Sequence, residues 1–174
     1  ARTIFRELGD RNSECMVLGN LSFLHTDEGD FEAAEREAKT ALAIIREIGG
    51  LQLRAGAEAS LANICLRLRR DAEAWKYTNM AVVTSREVGE PLIYAAMMYG
   101  VLKVRAGDRP TGLAWIGFAR ANETEYKKEI GKDIERYGEE LRGDLTDEAF
   151  EAAMKAGESL KFDEIAAQAA THAL

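Results

Sequence analysis

An all-α fold made of repeated helical hairpins is what these 174 residues predict. Three observations carry the expectation. Ala, Glu, Leu and Arg dominate and only 2 prolines occur, a mixture that favours helix and leaves few strand runs. A pattern recurs with a spacing of 40 residues, as Ile4-Phe5-Arg6-Glu7-Leu8-Gly9, Ile44-Ile45-Arg46-Glu47-Ile48-Gly49 and Thr84-Ser85-Arg86-Glu87-Val88-Gly89. Small side chains precede the later copies at helical spacing, as Ala34, Ala38 and Ala41, then Ala74, Thr78 and Ala81.

Each copy of the repeated pattern reads as a helix stop. Its glycine takes the left-handed backbone conformation without a steric penalty, and its arginine, placed in the last turn, complements the helix dipole. The small residues upstream let two helices approach closely. Turns at Glu28-Gly29-Asp30, Arg69-Arg70-Asp71 and Ala106-Gly107-Asp108, the last followed by Pro110, separate a first helix from a second in each unit. The expected order is a half helix over 1–8, then pairs at 11–27 with 31–48, 51–68 with 71–88, and 91–106 with 109–122. Because Ala1 falls inside a helix in this register, the expectation is a segment of a longer protein. A single hairpin cannot bury its own apolar face, so neighbours stack into a curved ribbon with a concave side.

The residues at these turns resemble the tetratricopeptide repeat. Asn20-Leu21-Ser22 and Met98-Tyr99-Gly100 stand where that family has its Leu-Gly pair, and Gly29-Asp30-Phe31-Glu32-Ala33-Ala34 is similar to its turn and following alanine. Ala41, Ala81 and Ala119 resemble its second small position. Arg69-Arg70-Asp71 departs from the Gly-Asp-aromatic turn, and the 40-residue period is that of long units such as those of MalT-like regulators and related signal-transduction ATPases. The resemblance implies a right-handed superhelix of antiparallel hairpins over 1–122, closed by a helical cap over 123–174.

The closing segment differs in charge and spacing. Residues 1–122 hold 16 acidic and 16 basic side chains, whereas 123–174 hold 14 acidic and 7 basic, and this balance argues against direct nucleic-acid binding. Ile130, Ile134, Tyr137 and Leu141 draw one apolar stripe on a helix expected from about 124 to 142, ended by Gly143. Thr146 caps a short helix to Ala156, ended by Gly157, and a last helix runs from Asp163 to His172. An acidic, amphipathic end of this kind gives a repeat array its polar outer face.

Chemistry is sparse. No Gly-x-x-x-x-Gly-Lys-[Ser/Thr] loop occurs, and Gly131-Lys132 lies in an expected helix without the first glycine. His25, His172, Cys15 and Cys65 have no spacing suited to a nucleophile or a metal site, and the two thiols read as reduced and half-buried. Glu139-Glu140 and Asp147-Glu148 point apart on helices and read as solvated charge, while Trp75 and Trp115 read as wedges between hairpins. No enzyme activity, cofactor or metal is expected. No run of about 18 apolar residues is present to span a bilayer, so no membrane association is expected, and two reduced thiols fit a cytoplasmic setting.

What the fold offers instead is a binding surface. Aligned on Leu21, Leu61 and Tyr99, the groove-facing residues of the first helices are Asn20, Phe23 and Asp27, then Ser60, Asn63 and Arg67, then Tyr94, Val101 and Arg105. Asn63 and Arg67 stand one helical turn apart, a spacing suited to a carboxylate or a peptide carbonyl, although Arg67, Arg69 and Arg70 also read as a solvated cluster. The resemblance implies the C-terminal sensor or interaction arm of a larger bacterial signalling or transcription regulator. Its partners would be a protein, a peptide or a small effector in the groove, and the parent protein's own switch domain. A purely structural array that holds such a switch in one state, or that self-associates, is the other reading.

Overall fold

The structure is a computed structural model and describes residues 9–89, 92–123 and 129–171. Among the described residues it is all-helical, with no strand. The expected half helix over 1–8, the start of the helix expected at 124 and His172 lie outside the described residues. Two compact units divide the chain, Ala1–Glu90 and Pro91–Leu174. The hairpin expected at 91–122 falls in the second unit, where it packs with the C-terminal helices.

The first unit holds α1 (Arg11–Glu28), α2 (Phe31–Ile48), α3 (Leu51–Arg67) and α4 (Asp71–Val88). α1 packs along α2 and α3 along α4, while α2 and α1 both pack on α3. Local chemistry sets the ends. The Asp10 carboxylate accepts from the Ser13 N–H and the Asp30 carboxylate from the Ala33 N–H, each satisfying a donor that the helix cannot. Gly49 and Gly89 end their helices in the left-handed conformation as expected, at φ of 80° and 77°, and Gly9 has the same conformation at 71°. Gly29 stops α1 in the same way at 83°, and the matching place after α3 is taken by Arg69 at 58°.

Small residues set how closely the helices meet. Ala34, Ala38 and Ala41 are buried on α2, and α1 lies near enough for Ser22 Oγ to donate to the Ala34 carbonyl at 3.0 Å. Ala74, Thr78 and Ala81 are buried at the same positions of α4. Leu18, Leu42, Ile44, Ile45, Leu61 and Ile64 complete the apolar core. Glu58 is buried between α3 and α4, where its carboxylate accepts from Arg54 Nε and Thr84 Oγ1, both at 2.8 Å, so its charge is compensated inside the fold.

The second unit holds α5 (Ile93–Arg105), α6 (Arg109–Ala121), α7 (Glu129–Arg136), α8 (Gly138–Arg142), α9 (Asp147–Ala156) and α10 (Phe162–Thr171). α5 and α6 form a shorter hairpin of 13 residues in each helix, and α6 is capped by Asp108 with Pro110 in its first turn. Glycine replaces alanine at the crossings. A Cβ on Gly100 would meet the Gly112 carbonyl at 2.6 Å, and one on Gly117 or Gly157 would strike the backbone of the facing helix, at Met154 or Ala114. α9 thereby lies tight on α6.

Three expectations are adjusted here. The helix expected over 124–142 is broken at Tyr137 into α7 and α8. Cys15 and Cys65 are fully buried rather than half-buried, and both are free thiols. Trp115 is buried as expected of a wedge, whereas Trp75 is only half-buried.

Candidate functional site

The expected groove residues divide between the units and meet different fates. On α1, Asn20, Phe23 and Asp27 are exposed, and Phe23 keeps 47% of its surface. Met16, at 56%, lies on the same face, since positions 16, 20, 23 and 27 follow helical spacing, and Leu24 beside it is 53% exposed. Sequence reasoning missed Met16 and Leu24. The i to i+7 relation of Met16 and Phe23 was the available signal, but a first helix with apolar residues on several sides does not show which side is covered.

On α3, Ser60, Asn63 and Arg67 are half-buried. Ser60 Oγ donates to the Gly56 carbonyl at 3.1 Å, which turns the hydroxyl back on its own helix. The Asn63 Oδ1 is buried without a hydrogen-bond partner among the described residues. The Arg67 guanidinium sits 5.2 Å from the centre of the Phe31 ring, a cation-π contact. Among the described residues Arg67 makes no ion pair.

The neighbouring arginine is used internally. Arg70 forms a fork with Glu35 of α2, at 2.6 and 3.2 Å, and Lys39 adds a second contact at 2.6 Å. The Arg70 and Lys39 hydrogen bonds hold the Glu35 carboxyl at about 2, well below its ordinary value. Arg70 is therefore a bracket between hairpins, and the expected three-arginine cluster is not one uniform solvated patch.

In the second unit the expected groove face is closed. Val101 has no exposed surface and presents nothing to a ligand, contrary to its expected place on the groove. Tyr94 donates its hydroxyl to Asp133 of α7, and burial, followed by the nearby carboxylate, pushes its ionisation well above the ordinary value. Arg105 Nε donates to Glu140 Oε1 at 2.8 Å with its side chain only 7% exposed, and its guanidinium lies 5.6 Å over the Tyr137 ring. Ile130, Tyr137 and Leu141 of the expected apolar stripe are buried and Ile134 is half-buried, so the stripe is largely consumed within the unit. The physical reason is tertiary. α8 packs on α5, and register within a single helix does not reveal a partner 35 residues away.

Little of this is reactive chemistry. Burial pushes the Cys65 thiol up to about 11 and raises Cys15 as well, which suppresses the thiolate at neutral pH. His25 lies 3.5 Å from Glu28 and 3.6 Å from Glu37, with no nucleophile between. A depression of about 450 Å³ near Asn12, Gly50, Leu51, Leu53 and Val88 carries no ionisable lining. No group of three or more His, Cys, Asp or Glu among the described residues has metal-binding geometry, and none of their helices is long and apolar enough to cross a membrane.

Fold and surface together define an all-α protein of paired helices with an open, mixed face on its first unit. No family model, curated protein or solved structure matches the chain.

Proposed function

We propose that this chain is a binding arm: a tetratricopeptide-like scaffold, wound as a right-handed superhelix, that captures a protein or peptide on the faces of its first helices. In this reading it is the C-terminal sensor or interaction arm of a larger cytoplasmic bacterial regulator, and any catalysis or DNA contact belongs to other domains. The observation that carries it is the open face of the first unit. Met16, Asn20, Phe23 and Asp27 stand exposed along one face of α1, and on α3 of the same unit Arg67 makes no ion pair among the described residues. Exposed apolar side chains rimmed by polar and charged groups are what a recognition surface needs, with the apolar atoms supplying affinity and the rim supplying selectivity.

Arg105 supports the same reading by analogy of position. It stands at the register place of Arg67 and takes a carboxylate, that of Glu140. Asn63, one turn before Arg67, adds an amide that can pair with a peptide group. The test is a peptide library displayed on phage and selected against the chain. Selected peptides should lose about tenfold in affinity to the double variant Asn63→Ala, Arg67→Ala, with far-UV circular dichroism unchanged. Selected binders indifferent to the double variant and to Phe23→Asp would reject this face as the site.

A further inference from the structure

The geometry points to an amphipathic α-helix of a partner protein as the occupant of the first unit's open face. This rests on the binding reading above and adds the class of partner. The chain itself shows how such a helix is received. On α5 the positions 94, 98, 101 and 105 make one face, and both ends of that face are bound by the amphipathic pair α7 and α8, through Tyr94 to Asp133 and Arg105 to Glu140. α7 and α8 supply the apolar stripe of Ile130, Tyr137 and Leu141, and the two contacts run in the same direction along both elements.

Among the described residues no helix is bound in this way on the equivalent faces of the first unit, of which the α1 face is exposed and the α3 face half-buried after Gly56. By the repeat register they are Met16, Asn20, Phe23 and Asp27 on α1, and Gly56, Ser60, Asn63 and Arg67 on α3. α1 packs beside α3, so both faces belong to one compact unit. α3 itself does not cover the α1 face, because Met16 and Phe23 remain 56% and 47% exposed with α3 in place.

Spacing and charge specify the visitor. Met16 and Phe23 are two turns apart, about 10 Å along the axis, which matches the i to i+7 repeat of a second helix laid alongside. Arg67 calls for a carboxylate, as Arg105 does. Asp27 is exposed and, among the described residues, makes no ion pair, so it calls for a cation. A helix with an apolar stripe flanked by both signs of charge satisfies all of these, and the chain's own segment 129–142 has that composition, with Ile130, Ile134, Tyr137 and Leu141 flanked by Lys132, Asp133, Arg136 and Glu140.

The probe is a fluorescein-labelled synthetic peptide of residues 129–142, titrated into the full chain and read by fluorescence anisotropy. A second peptide of the same length, with proline replacing Glu135 and Gly138, cannot form the helix. The helical peptide should bind, should weaken about tenfold against Phe23→Asp and against Arg67→Glu, and should outcompete the proline peptide by a similar factor. Phe23→Ser and Arg67→Gln stand in if the first variants lose helicity. Absence of binding overturns the inference, as does binding that ignores Phe23 and Arg67 and is lost in Arg105→Glu, which would put the peptide on α5. Equal, Phe23-dependent binding of both peptides would sink the helix while leaving the binding reading intact. Binding reading and inference fail together only if the library-selected peptides also ignore this face.

Discussion

Arg69 sits in the left-handed region at φ 58°, where its repeat counterpart is Gly29 at 83°. A side chain there crowds the backbone, at a cost of about 1 kcal/mol relative to glycine. Arg69→Gly is therefore expected to raise the unfolding free energy by about 0.5 to 1 kcal/mol, measured as a higher urea midpoint with an unchanged slope. A lower midpoint would show that the arginine contributes more through its contacts than its backbone costs.

Glu35 makes the other residue-scale prediction. Its carboxyl ionises at about 2 in the fold, below its unfolded value, because Arg70 and Lys39 bind the charged form. Such a group contributes stability that is fully present above the unfolded pKa and is lost as pH falls through about 2. Arg70 and Lys39 are 34% and 55% exposed, so solvent screening reduces the contribution to about 1 to 2 kcal/mol. Glu35→Gln should cost that amount at pH 7, and the gap to the unmodified chain should close as both are denatured toward pH 2. A gap that stays constant with pH would mean the fork contributes shape rather than charge.

At the scale of the element, the helices of the first unit were legible almost to the residue. The second helices expected at 31–48 and 71–88 coincide with α2 and α4, because the signals that end them are local: Asp30 at one start and left-handed Gly49 and Gly89 at the stops. Thr146 and Gly157 bounded α9 for the same reason. The Tyr137 break was less legible, since Ile130, Ile134, Tyr137 and Leu141 keep helical spacing across it. Helix contacts were least legible of all. Nothing near Gly157 in sequence announces that it lies against Ala114, yet a Cβ there would overlap that residue's backbone. Gly157→Ala and Gly117→Ala should each destabilise by more than about 2 kcal/mol, because backbone cannot yield as a side chain can. Gly19→Ala, in a helix interior with nothing within 4 Å, should instead stabilise by about 0.5 to 1 kcal/mol. Chemical denaturation of the three variants checks both signs.

For the molecule as a whole, the 40-residue register located the first helices but not which of their faces are covered. Asn20, Phe23 and Asp27 are exposed as a groove face requires, while Tyr94, Val101 and Arg105 at equivalent positions are closed off in the second unit. The difference arises between segments far apart in sequence. Glu140 reaches Arg105 across 35 residues, a pairing that no periodicity of 40 encodes. The acidic excess of the closing segment is likewise not only a solvated surface, since Asp133, Glu140 and Glu151 hold Tyr94, Arg105 and Arg120.

The two buried sulfurs have a practical consequence at the bench. Cys15 and Cys65 are 3% and 0% exposed, and burial raises the pKa of both, which leaves almost no thiolate at neutral pH. A maleimide dye offered to the folded protein therefore meets almost no competing native target. One cysteine introduced on the surface takes the label without removal of either natural thiol, so distance and mobility can be followed by fluorescence in a molecule whose interior has not been altered.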